Sequence, residues 1–508
     1  MTSMATDKTQ TSGNSNPEVD NAGRQVSVSV LASMIGMALR YVAALLTTQA
    51  LGIRLFGSYV QAQTITQLLS MAGTLGLSPG VVPFVARARL DADEPGMRAI
   101  VRSTWAITIA ASGLLAFALF VLAPWLARAV FRDPAIAPML RWLAPTVAFA
   151  AVMLASLAIA QGFKAVRAQA IIEKVVTVSA TLAGLIVTWQ LDLGVTGVLV
   201  ATLLGPTTGL LCSLGYVRAR VPGALQAHAP SSAWPVRDLL QTCWPLLGTG
   251  LVAFALSSVN ILLLGVLSEP AQAGYYGASV RMLPVVFVVH QNAAQLFYAY
   301  ASERFVDRDM QEIDAIYKRT ARWSIWSAIG AALLLVIWGG DILGLFGPDF
   351  AAGAPVLSVL VIGQVITAMT GSCGKAMIAM GRIRQNMINV ITMLCLNVVL
   401  CLLLIPKHGA LGAACAATAA RGAVRIALAA QVWWAFRIHP WSKDSLIALI
   451  SGGLVYAIAG RFREGGGGEF GWTVALAACA TAWLALSLIF GLGPRDRASL
   501  RHLLVRRR

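Results

Sequence analysis

Apolar runs close to the ~20 residues that a helix needs to cross the ~30 Å interior of a bilayer follow one another with little between them. About fourteen are present, at 27–50, 59–84, 100–126, 138–162, 168–190, 195–217, 240–267, 274–300, 320–346, 354–380, 386–406, 410–436, 443–460 and 470–492. Hydrophobic residues make up 57% of the 508, charged residues 12%, and the mean hydropathy is +0.73. A soluble chain of this length cannot bury that much apolar surface. The expected class is an all-α, polytopic membrane protein of about fourteen transmembrane helices.

The first residues, "MTSMATDKTQTSGNSNPEVDNAGR", lack an apolar core. They read as a disordered tail over 1–26 and not as a signal peptide. The seven cysteines lie scattered in apolar runs without a CxxC pair, so neither a metal site nor a disulfide framework is expected. The net charge of +17 is explained by Lys- and Arg-rich loops on one side of the membrane, without recourse to nucleic acid. With the N-terminus inside, the even-numbered connections carry Arg87, Arg89, Arg98 and Arg102, then Lys164 and Arg167, then Arg218, Arg220 and Arg237. Further along the same side come Arg304, Arg308, Lys318, Arg319 and Arg322, then Lys375, Arg382 and Arg384, then Arg437 and Lys443. Three opposite connections, "LDLG", "SEPAQ" and "GGDILGLFGPDF", have no Lys or Arg. The 124–141 connection, with Arg128, Arg132 and Arg141, is the exception. The asymmetry places both termini in the cytoplasm.

The two halves echo each other. "FGSY" at 56–59 matches "AGYY" at 273–276, and "FRDPAIAPML" at 131–140 matches "FGPDFAAGAPVL" at 346–357. "QGFKAVRAQ" at 161–169 matches "MGRIRQN" at 380–386, and "LGVTGV" at 193–198 matches "HGALGA" at 408–413. The offsets run from 215 to 219 in one order. Six spans per copy, an even number, make the repeats parallel. The expected organisation is a six-helix lobe at 27–217, a cytoplasmic linker at 218–239 and a second six-helix lobe at 240–438. An appended helix pair at 439–493 and a basic cytoplasmic tail at 494–508 follow. A substrate cavity is expected between the lobes, near the midplane.

Polar residues within spans are costly and should face protein or water. Gln63, Gln67, Ser70 and Thr74 fall on one helical face, as do Thr242, Thr249 and Asn260. Arg281, Asn292 and Gln295 share a face from which His290 points away, and Ser33, Arg40 and Thr47 line up at heptad spacing. Taken singly, each amide or hydroxyl reads better as a helix–helix hydrogen bond; four stripes on the repeat-equivalent helices together favour the cavity. Arg40, Arg281, Arg421 and Arg425 lie well inside spans, whereas Glu173 is the one carboxylate clearly within a span. A cationic interior suits an anionic substrate, since a guanidinium stays charged and its fork matches phosphate oxygens. The competing readings are snorkelling for Arg281 and, for Arg421 with Arg425, anchorage of the appended helices. The candidate substrate-binding residues are therefore Arg40, Arg281, Gln63, Gln67, Asn260, Asn292, Gln295 and Arg421. No catalytic or metal-ligating set stands out, and no cofactor is expected. "REGGGGEF" at 463–470 lacks the Lys-Ser/Thr of a phosphate-binding loop and reads as a turn.

"LIPKHGALGAACAAT" at 404–418 resembles the "IP-x-x-G-x-x-GAA-x-AT" signature of Wzx-type bacterial polysaccharide flippases, in the multidrug/oligosaccharidyl-lipid/polysaccharide exporter superfamily. "LGIRLFGSY" at 51–59, "AGYYGASVRML" at 273–283 and "LFGPDFAAGAPVLSVL" resemble other stretches of that family. The resemblance implies flipping of undecaprenyl-pyrophosphate-linked oligosaccharide across the bacterial inner membrane for exopolysaccharide, capsule or O-antigen export. It also implies membrane lipids, a polysaccharide polymerase and chain-length machinery as partners. Arg281 falls on the family's basic residue of the eighth span. The alternatives are a cation-coupled drug exporter of the same superfamily, which the shortage of buried carboxylates disfavours, and a murein-precursor flippase. The latter is similar but places an acid before the corresponding arginine, where this chain has Val280. A membrane enzyme is disfavoured by the short outer connections.

Overall fold

With no water to receive them, backbone N–H and C=O groups in a bilayer must bond within the segment, and apolar runs become helices. A computed structural model describes residues 17–222, 236–306 and 309–464, together with 481, 483 and 487. The described residues form α1 (Pro17–Gly73), α2 (Leu77–Leu90), α3 (Glu94–Trp125), α4 (Ile136–Gly162), α5 (Val166–Ile171), α6 (Thr177–Gln190) and α7 (Gly194–Arg220). Then come α8 (Val236–Leu267), α9 (Pro270–Val306), α10 (Met310–Ile337), α11 (Gly339–Gly344), α12 (Ala354–Met369), α13 (Cys373–Ala379), α14 (Ile383–Phe436) and α15 (Lys443–Glu464). Two π-helical turns, Leu126–Val130 and Ile172–Val176, extend α3 and join α5 to α6. No strand occurs among the described residues. Every expected span up to 443–460 falls on helical segments. The last span, most of the 218–239 linker, the "REGGGGEF" turn and the 494–508 tail lie largely or wholly outside the described residues, as does the tail before Pro17. Helix α1 begins at Pro17, ahead of the expected start at residue 27.

Among the described residues, nine helical stretches are long and apolar enough to cross a membrane. Two of them, Leu31–Leu90 and Ile383–Phe436, hold 60 and 54 residues and pass through a glycine kink. Helix α9 has the length but is not apolar enough to join the nine, and it is the helix that carries Arg281.

The kinks are where the local sequence permits them. Gly52, with φ 66°, divides α1, and Gly409, with φ 54° and ψ −129°, divides α14 in a backbone region that only glycine enters freely. Pro406 has already removed a donor there. The freed N–H of Ala410 is received by the Gln272 side-chain oxygen at 2.9 Å. The "LIPKHGALGAACAAT" stretch is thus a capped hinge between two antiparallel helical arms.

The repeat is written in the turns. Asp93 and Asp309, 216 positions apart, each accept a hydrogen bond from the backbone N–H three residues on, at 2.9 and 3.0 Å. Arg132 and Gly347, Lys164 and Gly381, and Gly194 and Gly409 pair up with φ of 52° and 139°, 58° and 78°, and 53° and 54°. These offsets are 215, 217 and 215; the register at "QGFKAVRAQ" is therefore 217 and not the 219 of the letter match. Such φ values are uncommon outside glycine, so their recurrence in order supports a duplicated backbone. The copies also differ: α1 and α2 are separated by a break at Thr74–Gly76, where Leu75 and Gly76 have φ of 48° and 76°, while α9 runs through without one.

The chain divides into two compact units. The first comprises 1–43, 69–117 and 145–247. Its core joins Val81 and Val85 of α2, Ile100, Val101 and Trp105 of α3, Ile159 of α4 and Val217 of α7. The second comprises 44–68, 118–144 and 248–508. One of its cores packs Phe297 of α9, Tyr317 of α10, Cys373 and Met377 of α13, and Val432 of α14. A second cluster sets Trp326 of α10 and Trp338, just past its end, against Ala448 of α15.

Within the second unit the arm of α1 after Gly52 crosses the start of α9 at backbone contact. Gly57 lies against the carbonyl of Pro270, and Gly274 lies against the carbonyl of Ile53, each with no room for a Cβ. Gly277 faces Val60. Ile53 and Pro270, Gly57 and Gly274, and Val60 and Gly277 are all 217 positions apart. The contact is therefore reciprocal, as a two-fold relation between repeats requires, and small residues permit the approach.

Candidate functional site

Arg281 follows this crossing by little more than one turn on α9. It stands eleven residues after Pro270, roughly 16 Å along the helix at 1.5 Å per residue. Its Cζ lies 4.5 Å from the centre of the Phe56 ring, and Phe56 is fully buried. One guanidinium nitrogen, Nη1, is buried without a hydrogen-bond partner. Among the described residues no carboxylate pairs with Arg281. A ring face attracts a cation but accepts no in-plane hydrogen bond, so stacking on Phe56 leaves this Nη1 donor unspent among the described residues.

A second cation lies on the arm of α14 after Gly409. Arg421 is half-buried, and its Nη1 too is buried without a partner. It lies within electrostatic range of Tyr276 and Arg425. Tyr276 accepts a hydrogen bond from the Asn260 amide at 2.8 Å. Asn260 also donates to the Ala413 carbonyl at 3.3 Å and accepts from Asn397 at 2.6 Å. This network ties α8, α9 and both arms of α14 together. Asn260, 3% exposed and bonded on both sides of its amide, does not face open space. The helix–helix reading left open for any single amide describes its geometry.

The other candidates are spread along their helices. Gln63 is half-buried, Gln67 and Gln295 are exposed, and none of the three has a side-chain hydrogen bond among the described residues. Asn292 is exposed and donates back to the Val288 carbonyl one turn earlier. Arg40 is exposed, with no partner among the described residues. It lies in the first compact unit, and the remaining candidates lie in the second.

Sequence periodicity passed over Phe56 and Tyr276, since an aromatic in an apolar run carries no polar signal. It also passed over Gln61, which is 1% exposed, has an unpartnered amide nitrogen and lies against Gly265. Asn397, a lone amide in "LCLNVVLCL", was visible in the letters. In the first unit, Lys174 donates to Ser33 at 2.7 Å and Glu173 accepts from Gln169 at 3.4 Å. Both charges sit on the π-helical turn. No group of three or more His, Cys, Asp or Glu among the described residues could hold a metal ion.

A family model described as polysaccharide biosynthesis protein matches residues 22–297. No curated protein sequence matches the chain. Among solved structures, a lipid II flippase, MurJ, in an inward closed conformation is 13% identical, with a TM-score of 0.73 over 91% of this chain and 98% of that one. An inward-facing multidrug resistance MATE family transporter of the MOP superfamily is 14% identical, with a TM-score of 0.66 over 81% and 97%. A MOP superfamily transporter from Pyrococcus furiosus is 14% identical, with a TM-score of 0.53 over 81% and 95%. At these identities the likeness shows a shared fold.

Proposed function

The chain belongs to the polysaccharide biosynthesis protein family, and on that premise we propose that this multi-pass membrane protein is a flippase for polyprenyl-pyrophosphate-linked oligosaccharides. It carries the head group from the cytoplasmic to the outer leaflet of a bacterial inner membrane, with both its termini in the cytoplasm. The product then serves a polysaccharide polymerase and its chain-length machinery outside. The observation that carries the reading is Arg281: within α9, stacked on Phe56, with a buried Nη1 that no group among the described residues accepts. A buried cation without a counter-charge is costly, and a bidentate phosphate oxygen pair is its natural complement. Arg421 supplies a second buried Nη1 without a partner among the described residues, fitting a diphosphate better than a monophosphate. Arg40 and the exposed amides of Gln63, Gln67, Asn292 and Gln295 suit solvated phosphate and sugar hydroxyls. Asn260 holds the helices that carry the arginines. The repeats at 27–217 and 240–438 act as lobes that rearrange around the head group while the polyprenyl tail stays in lipid. A cation-coupled drug pump would instead need carboxylates where these arginines stand.

The test is complementation of a strain that lacks its own glycan flippase and makes the cognate lipid-linked oligosaccharide. Wild type restores export. Arg281→Ala, at normal membrane abundance, leaves the lipid-linked glycan on the cytoplasmic face. Full export by Arg281→Ala at that abundance contradicts the assignment.

A further inference from the structure

We propose that the groove between the first and last turns of α14 binds the phosphate head group of an anionic phospholipid of the surrounding membrane. Because α14 folds back at Gly409, its two ends lie side by side. There Asn389 donates to Gln431 at 2.7 Å and Gln431 donates back to Asn389 at 3.2 Å. This reciprocal amide pair floors an open groove of about 480 Å³ lined by Arg382, Gln385, Ile388, Asn389, Gln431 and Trp434, with Ala435. The volume is that of a small-ligand site.

One arginine, Arg382, lines the groove, and Arg384 and Arg437 stand near it in sequence or at the same helix ends. Arg382 stacks over Phe436 at 5.2 Å and donates to Gln385 at 3.2 Å. Arg384 is exposed beside it, and Arg437 stacks over Trp433 at 5.2 Å. Among the described residues none of these arginines pairs with a carboxylate. The start of α14 has no side-chain cap, so its first-turn N–H groups add donors and a positive dipole end.

The surroundings place the groove at the membrane boundary. Trp434 is 69% exposed, with Trp433 and Trp441 also exposed at the same end, as in the aromatic belt of a bilayer interface. Ile383, Met387 and Ile388 are exposed along the outward face of α14 and offer a path for acyl chains. The charge rule assigns this end to the cytoplasmic leaflet, where anionic lipids meet basic pockets between helices. The fold alone does not demand these polar residues. At the offset of 217 seen at Lys164 and Gly381, Arg382 and Asn389 correspond to Ala165 and Ile172; at the offset of 215 seen at Gly194 and Gly409, Gln431 corresponds to Tyr216.

The experiment is native mass spectrometry of the purified full-length protein, titrated separately with phosphatidylglycerol, phosphatidylethanolamine and a polyprenyl pyrophosphate. The variants are Arg382→Ala, Arg281→Ala and Arg220→Ala. Arg220 stacks over Tyr216 at 5.6 Å near the end of α7 and controls for the loss of any exposed arginine. Wild type should bind phosphatidylglycerol in preference to phosphatidylethanolamine. Arg382→Ala should weaken that binding about five-fold, one arginine's share of attraction to anionic lipid. Arg281→Ala and Arg220→Ala should leave it unchanged, which separates this site from the proposed substrate site. Equal retention of the two phospholipids by wild type overturns the proposal, as does equal weakening in all three variants. Stronger binding of the polyprenyl pyrophosphate than of phosphatidylglycerol, lost in Arg382→Ala, overturns it in favour of a substrate-docking site.

Discussion

Lys174 and Arg281 are both basic residues inside expected spans, one in each compact unit. Lys174 gives its ammonium to Ser33 at 2.7 Å, sits beside Glu173 on a π-helical turn, and has Gly36 packed against its backbone carbonyl. Arg281 has a ring face at 4.5 Å and a buried Nη1 with no acceptor among the described residues. One cation is part of the packing. The other has its charge attracted by Phe56 and, among the described residues, one buried donor unspent, which is what the proposed role in substrate binding rests on. Charge inside a span is therefore a weak guide by itself; what separates structural from ligand-binding cations is whether their donors are already spent.

The comparison can be broken by four substitutions. Replacing Arg281 with alanine should slow glycolipid flipping in proteoliposomes by about 100-fold or more, the scale for truncating one partner of a buried charge pair; a rate within a factor of about two of wild type would put Arg281 on the same footing as Lys174. Asn260→Ala strands the Tyr276 hydroxyl and the Asn397 amide. It should cost about 1–3 kcal/mol, seen as an earlier thermal transition of the purified protein, and an unchanged transition would remove the network from the packing account. Phe56→Leu keeps the apolar volume but removes the ring face. Flipping should fall about five-fold, within the range of a desolvated cation–π contact, with little change in melting. The smallest effect is expected for Lys174→Met: a satisfied cation replaced by an apolar chain of similar length should leave flipping within about two-fold. A collapse of transport in that variant would show Lys174 to be functional and dissolve the contrast.

Much of the fold was legible because a bilayer imposes one length and one backbone solution. The apolar runs give helices, and turn residues such as Asp93, Gly194 and Gly409 mark their ends. The repeat was legible for the same reason, since turns need particular residues. The register at Lys164 and Gly381 was not, because the turn sits on a lysine in one copy and a glycine in the other. The site was harder. A stripe such as Gln63–Gln67 identifies a face but not what the face meets, and identical reasoning selected the spent amide of Asn260. Phe56 was invisible because its role exists only once Gly57 and Gly274 have brought α1 against α9.

The measurement that bears most directly on the account is equilibrium binding of a polyprenyl-pyrophosphate oligosaccharide to the purified protein, comparing wild type with Arg281→Lys. Lysine keeps the charge and loses the planar fork. If Arg281 clamps the pyrophosphate, affinity should drop about ten-fold, the worth of one charge-assisted hydrogen bond of ~1.4 kcal/mol, and inorganic pyrophosphate should compete with the glycolipid in wild type. Equal affinity in the two proteins, with no competition by pyrophosphate, would contradict it.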